Sequence, residues 1–541
     1  MGGAYIIVFS IIIFIAGYKF YGSFIAKRLG VDATRPTPAH TNYDGVDYVP
    51  TRPSILIGHH FSSIAGAAPI IGPIVAARYG WTAVLAWIVI GGIFMGAVHD
   101  FASLLISVRH QGRSLGMVVE QRIGKTAKNL FLIFVYATLL LVIAVFANAV
   151  ANVFHKFPQV GTASILFIIL AIGMGYSLYR LKINFILLTV AGLIFLGFSV
   201  YLGYLFPLVL SVNTWKVLML LYIVAASVMP VWLLLQPRDY LNSYILYLML
   251  FILVAGIIVV NPQLRLGASP VFSTDKGPLI PLLFVTVACG ALSGFHSLVA
   301  AGTTSKQLDS EKDAVKVGYG SMLIESLLAV TALITAAVMT SGDYSQAAGD
   351  PIGVFSKNSA IILNGIGIPI FVGSTFMALA VAAFALTSLD TATRLGRFAF
   401  QELFLDSEKP ASEQSFLANN RYFATIITVV LGGGLVFSGT ATDIWPIFGA
   451  ANQLLASLTF LVITVWLVHL KRPKRFAIIP GIFIYSLTMA ALAYNIYDFA
   501  GSDKYALAVL SLILMILALV LGYEGVGVLR GKHPHLETGT K

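Results

Sequence analysis

Charge is what this chain has least of. Of its 541 residues only 11% are Asp, Glu, Lys or Arg, against about a quarter in a soluble domain. Too little polar sequence lies between its apolar stretches for a separate soluble domain. Cysteine is nearly absent too. The one thiol, Cys289, falls inside an apolar stretch, so intrachain disulfides and Cys-based metal clusters are excluded. No HExxH motif or Cys/His cluster is present, and no metal centre is expected. No nucleophile and base stand at convincing catalytic spacing. The chain does not read as an enzyme, and no cofactor is implied. The basic loops lack interleaved aromatic residues, so the net charge of +11 does not point to nucleic acid.

What is abundant is hydrophobic length. Apolar runs of about 20 residues recur from end to end, the length that takes a helix across a bilayer. Residues 1–26 lack the positive start and the small-residue cleavage site of a signal peptide, and read as a first span. The expected fold is an all-α polytopic membrane protein with about 15 transmembrane helices. They are placed at 4–26, 55–77, 82–107, 130–153, 161–178, 184–206, 217–235, 241–261, 281–303, 316–340, 366–390, 422–439, 445–468, 477–497 and 504–526. The chain reads as one transporter domain: an N-terminal span (1–30), a first half (55–261), a second half (281–526) and a cytoplasmic tail (527–541).

Lys and Arg set the orientation. With the N-terminus outside, the inner loops and tail hold 26 of them and the outer loops 7. Basic residues concentrate in short cytoplasmic loops, so the N-terminus is expected outside and the C-terminus inside. The inner loops 109–129 and 393–414 are amphipathic and are expected to lie as helices at the headgroup interface.

Two spans are unusual. Residues 58–66 read GHHFSSIAG and residues 294–302 read GFHSLVAAG. Gly58, His60 and Gly66 match Gly294, His296 and Gly302 in spacing. The two spans should run in opposite directions. Pro69 and Pro73 each remove a backbone hydrogen bond from the first. Paired interrupted helices of opposite orientation point to a secondary transporter's binding site. The freed backbone groups must face protein, water or substrate.

A charged side chain at bilayer depth costs about 2.5–3.5 kcal/mol even on a lenient scale. Few are present. Asp100, beside His99, lies in 82–107. Glu325 lies near the middle of 316–340 with no basic residue within a turn, so it is protonated or paired with another helix. Asp390 closes 366–390 and can pair with Arg394 one turn on. Asp239, beside Arg238, reads as the cap of a helix starting near Leu241. His59 and His60 point about 100° apart on a helix and do not grip one ion together. Each histidine either hydrogen-bonds a carbonyl or contacts substrate or a proton. Asn452 and Gln453, in TDIWPIFGAANQLLA (442–456), hold helices together or line the cavity.

GHHFSSIAGAAPIIGP, VHDF with GRSLG, QPRDYLN, SGFHSLVAAGTTSKQ, MLIES, LDTATRLGRF and WPIFGAANQLLA follow one another from about residue 50 to 470. Together they resemble the carbon starvation protein family. The resemblance implies a multi-pass secondary transporter of the inner membrane that takes up peptides during carbon starvation. Some members are proton-driven pyruvate importers. It also implies a LeuT-like core of two inverted repeats, each opening with an interrupted helix. Substrate would bind where 55–77 and 281–303 cross. The expected contacts are His59, His60, Ser62, Ser63, Gly66, Ser293, His296, Ser297, Thr303, Thr304, Asn452 and Gln453. Glu325, Asp100, His99 and Asp390 are expected to carry the coupled proton. The expected partners are therefore a small substrate, a proton and the lipid bilayer. A channel or a membrane sensor is the reading from another class. A channel would need a continuous pore, usually built from a ring of subunits.

Overall fold

A computed structural model describes residues 1–45, 47–406, 413–438 and 441–530, with the side chains of 441–443 excepted. The end of the expected tail (531–541) and residues 407–412 of the second amphipathic loop lie outside the described residues. Among the described residues twelve helices are long and apolar enough to cross a membrane, and one bent pair, Pro53–Ile64 with Ala68–Tyr79, makes up to 13. The chain is thus an all-α, multi-pass membrane protein. Twelve of the expected intervals hold such helices. At 55–77 the helix bends by 48°. At 217–235 the helix is Val212–Val228, 17 residues long. At 281–303 two pieces, Leu279–Thr286 and Gly294–Gly302, flank a segment that is not helical.

Three local readings are corrected. The helix expected from Leu241 starts earlier, as Leu235–Val260, and takes in the QPRD turn. Pro237 falls in its first turn, where a missing N–H breaks no intrahelical bond. Asp239 is therefore inside the helix and buried, not a cap. The span expected to end at Asp390 runs on to Leu403 as one helix of 34 residues, absorbing the start of the basic loop. A helix at Pro351–Asn364 was not expected. Its signal is present, since Asp350 caps Gly353 N at 3.2 Å and Pro351 opens the first turn. In the other amphipathic loop only Leu115–Arg122 is a separate helix. Its Leu115, Val118 and Val119 are buried.

Wide π-type turns at Gly17–Gly22, Gly92–Gly96 and Val315–Gly320 bring three spans together. Such turns leave carbonyls without their usual helical donors. The Tyr319 hydroxyl donates to Ile93 O at 2.9 Å and reaches Gly17 O at 3.4 Å. This junction fixes the helix bearing Asp100 against the helix bearing Glu325.

Candidate substrate and proton site

The two interrupted helices lie antiparallel. Gly72 packs so closely on Thr286 O that a Cβ there would stand 2.5 Å from it. Further on, His60 Nδ1 meets Thr304 Oγ1 at 2.8 Å. Moving from residue 72 back to 60 therefore matches moving from 286 forward to 304. Half-helix Pro53–Ile64 lies beside Gly294–Gly302, and Ala68–Tyr79 beside Leu279–Thr286. The spacing match of Gly58, His60 and Gly66 with Gly294, His296 and Gly302 does not extend to the breaks. In the first helix the motif precedes the break, and in the second it follows it.

Neighbouring helices satisfy the broken ends. Ser388 Oγ donates to Ser63 O at 3.2 Å. Gly66 has no room for a Cβ, which would meet Ser388 Oγ at 2.9 Å. In the second helix Gln453 Nε2 donates to Phe284 O at 2.7 Å, near the end of Leu279–Thr286. The adjacent Asn452 accepts from Phe295 N at 2.9 Å, at the start of Gly294–Gly302, and its amide nitrogen donates to Ser293 Oγ at 3.0 Å. Two consecutive amides on Ala441–His469 thus close both ends of one break.

The hydroxyls divide by partner. Ser62, Ser297 and Thr303 donate to carbonyls of their own helices, at 3.2, 2.7 and 3.0 Å. Ser297 also meets Thr459 Oγ1 at 3.1 Å. Thr304 holds His60. Ser63 Oγ, Ser321 Oγ and the Nε2 atoms of His59, His60 and His99 are buried without a hydrogen-bond partner among the described residues.

The ionisable groups fall into two clusters. In the first, His296 lies between two carboxyls. Its Nδ1 is 2.8 Å from Asp100 Oδ2 and its Nε2 is 3.3 Å from Glu325 Oε2. His99 Nδ1 reaches the other oxygen of Asp100 at 2.9 Å. All four side chains are fully buried. A neutral imidazole has one N–H. For both contacts of His296 to attract, either the ring is an imidazolium or Glu325 or Asp100 is protonated. The Asp100 contact is a hydrogen bond, whereas neither Glu325 oxygen nor His296 Nε2 finds a hydrogen-bond partner among the described residues. Glu325 thus lies against a residue of another helix, His296, at 3.3 Å.

Asp390 is not in that cluster. It accepts from Arg238 and, at 2.6 Å, from Tyr222 Oη. Arg238 also holds Asp239 at 3.0 Å, and Asp239 meets His59 Nδ1 at 3.1 Å. The expected Asp390–Arg394 pair does not form. Arg394 donates instead to Ala226 O and Met229 O at 3.0 and 2.6 Å, carbonyls at the end of Val212–Val228 where a cation is favoured. The sequence reads Asp239, beside Arg238, as a helix cap and does not single out Tyr222. A lone tyrosine in an apolar span gives no signal of a partner on another helix.

Comparison with known proteins agrees with this architecture. The family model described as carbon starvation protein CstA matches residues 2–372 and 347–491. The peptide transporter CstA of Campylobacter jejuni is 32% identical, over 93% of this chain and 82% of its own length. The pyruvate/proton symporter BtsT of Escherichia coli is 30% identical, over 91% of this chain and 82% of its own. Among solved structures, a manganese transporter mutant from Eremococcus coleocola aligns with a TM-score of 0.51 at 14% identity, over 90% of this chain and 99% of that one. That likeness concerns the fold alone. Among the described residues no three His, Cys, Asp or Glu side chains are arranged to hold a metal ion. The chain belongs to the carbon starvation protein CstA family.

Proposed function

We propose that this protein is a secondary active transporter, not an enzyme, that imports peptides across the inner membrane under carbon starvation, driven by protons. It works by alternating access within a LeuT-like inverted repeat of 15 spans, with its N-terminus outside and C-terminus inside. The observation that carries the reading is the buried Asp100–His296–Glu325 chain, whose central His296 sits on a broken helix. A proton bound there ties Gly294–Gly302 to Trp81–Arg109 and to Glu311–Ala337. Loss of the proton turns one attractive contact of His296 into a lone pair facing a carboxylate, and the half-helix is released. Substrate binds where the two breaks meet. Its carboxylate takes backbone N–H groups at the start of Ala68–Tyr79, which has no side-chain cap and where the helix dipole favours negative charge. Ser63 Oγ and His60 Nε2, buried and without partners among the described residues, supply further polar contacts.

Pyruvate import is the second reading, favoured by the pyruvate/proton symporter among the relatives. Both substrates carry a carboxylate, and only the peptide carries an amine. Uptake into proteoliposomes separates them, using labelled dipeptide and labelled pyruvate with and without an inward proton gradient. Glu325→Gln should abolish gradient-driven uptake while leaving substrate exchange in place. Gradient-driven uptake at the parental rate in that variant would refute the role given to Glu325.

A further inference from the structure

Two segments far apart in the chain meet where the first span, Gly3–Leu29, ends. One is Ser23–Leu29, with Lys27 and Arg28 in its last turn. The other is the turn 470–474, which reads LKRPK, joins Ala441–His469 to Arg475–Gly501 and is followed by Arg475. Arg472 ties them together, since its Nη1 donates to Arg28 O at 2.9 Å. Gly30, at φ +59°, ends Ser23–Leu29, and a Cβ there would stand 2.2 Å from Arg472 Nη1. The contact gathers six cations: Lys27, Arg28, Lys471, Arg472, Lys474 and Arg475. Five are exposed and Arg472 is half-buried. None of the six is in a salt bridge among the described residues.

The acids of the adjoining segments do not balance them. Asp32 accepts from Thr34, and Glu311 is taken by Arg35 and Arg109. Set against Asp32 and against Glu524, near the end of Tyr505–Leu529, the six still leave four positive charges in excess. Helix stability does not ask for all of them either. Lys27 and Arg28 stand at a helix C-terminus, where cations are favoured, but Lys474 and Arg475 open a helix, where they are disfavoured. Apolar side chains lead up to the cations. Phe20, Phe24 and Arg28 follow at four-residue steps, both phenylalanines are exposed, and the Arg28 guanidinium lies over the Phe24 ring at 5.0 Å. Arg475, Ile479 and Ile482 share a face of Arg475–Gly501, and both isoleucines are exposed. In a membrane-spanning chain such stripes meet acyl chains, so the cations at their ends lie at headgroup depth.

We infer that this patch binds anionic phospholipids, with their phosphates on the six cations and their acyl chains along the Phe20–Phe24 and Ile479–Ile482 stripes. A soluble phosphate would use the cations and leave the stripes idle. The patch also touches the helix that bears Asp100. Arg109, at the end of Trp81–Arg109, takes Leu29 O and Gly30 O at 3.0 and 2.8 Å and holds Glu311. A lipid bound here steadies the end of the first span against that helix.

The test is lipid retention by the full chain, purified in detergent, exchanged into an equimolar mixture of phosphatidylglycerol and phosphatidylcholine, and read by native mass spectrometry. The parent should retain phosphatidylglycerol about tenfold over phosphatidylcholine, as two or more cations per headgroup imply. The preference should fade in about 1 M salt, where exposed charges are screened. Lys27→Gln with Arg28→Gln, and Lys474→Gln with Arg475→Gln, should each lower it severalfold. Arg180→Gln with Lys182→Gln removes the same charge from another exposed turn and should leave it unchanged. Equal loss in that control pair would mean that overall charge selects the lipid, and would overturn the site, as would a parent without preference. Displacement of phosphatidylglycerol by millimolar inorganic phosphate would make the occupant a soluble anion and overturn the lipid assignment. Should the paired variants fail to insert, Arg28→Gln and Lys474→Gln singly are read in the same way. Neither result bears on the transporter reading.

Discussion

Asn452→Ala tests whether the break in the second interrupted helix is held from outside. Asn452 accepts from Phe295 N at 2.9 Å and from Ser293 Oγ at 3.2 Å, and its amide nitrogen donates to Ser293 Oγ at 3.0 Å and reaches Cys289 Sγ at 3.3 Å. Asn452 is fully buried, as are Ser293 and Gly294. Leaving a buried N–H unpaired costs about 1–3 kcal/mol, and losing a helix cap about 0.5–2 kcal/mol. The two overlap, since Phe295 N–H is the capped group, so the expected loss is about 2–3 kcal/mol. Asn452→Asp keeps the acceptor and places negative charge at a helix N-terminus, where it is favoured. The Ser293 hydroxyl turns to donate to it. Thermal unfolding in detergent should show the alanine variant melting several degrees below its parent and the aspartate variant recovering most of the difference. Equal melting of the alanine variant and the parent would refute the claim that this amide closes the break.

Further substitutions probe the crossing and the second cluster. Gly72→Val places a side chain where even a Cβ would stand 2.5 Å from Thr286 O. It should cost about 1–3 kcal/mol, seen as a lower melting temperature, while Gly173→Ala, with nothing within 4 Å of its Cβ, should leave melting unchanged or slightly raised. Arg238→Met strands Asp239 and Asp390 in the interior. A loss of about 3–5 kcal/mol should empty the monodisperse peak in size-exclusion chromatography, and adding Asp390→Asn should restore part of it. If Arg238→Met alone elutes like the parent, the shared guanidinium does not balance the two carboxylates.

Apolar length and breaker residues located the helices because both are local properties. Pro69, Pro73 and the small-residue run at 58–66 marked one interrupted helix, and GFH with its glycines marked the other. The side of the break on which each motif falls was not legible, because it depends on which neighbour accepts the freed groups. The ionisable residues were found as a short list, since charge inside an apolar run is conspicuous. Their partners were not. Asp390 stands one turn from Arg394, and local spacing favoured that pair. Arg238 comes from a helix 152 positions earlier in the chain, and no periodicity connects the two. Proline usually stops a helix, and Pro237 stands just before the helix start near Leu241 that the sequence suggests. At the first turn of Leu235–Val260 it starts one instead.

The adjacent histidines at 59 and 60 have a physical reason to be adjacent. Successive residues on a helix point about 100° apart, so one turn of Pro53–Ile64 reaches in two directions. His59 faces Asp239 and, through Arg238, the network on Leu235–Val260 and Ile370–Leu403. His60 faces Thr304, just beyond the half-helix that carries His296. A single rigid turn thus touches one network directly and the end of the element bearing the other. The break at residues 65–67 leaves this turn free of the helical bonds that would bind it to Ala68–Tyr79. In the proposed cycle, a shift of Gly294–Gly302 acts through Thr304 on the same short helix that holds the Asp239 network. Replacing His60 with valine removes the contact to Thr304 and the polar contact proposed for substrate. That variant should bind substrate more weakly and lose the dependence of substrate exchange on pH, because the turn no longer transmits between the two half-helices. Exchange that keeps the parental pH profile in His60→Val would show that the two clusters communicate by another route.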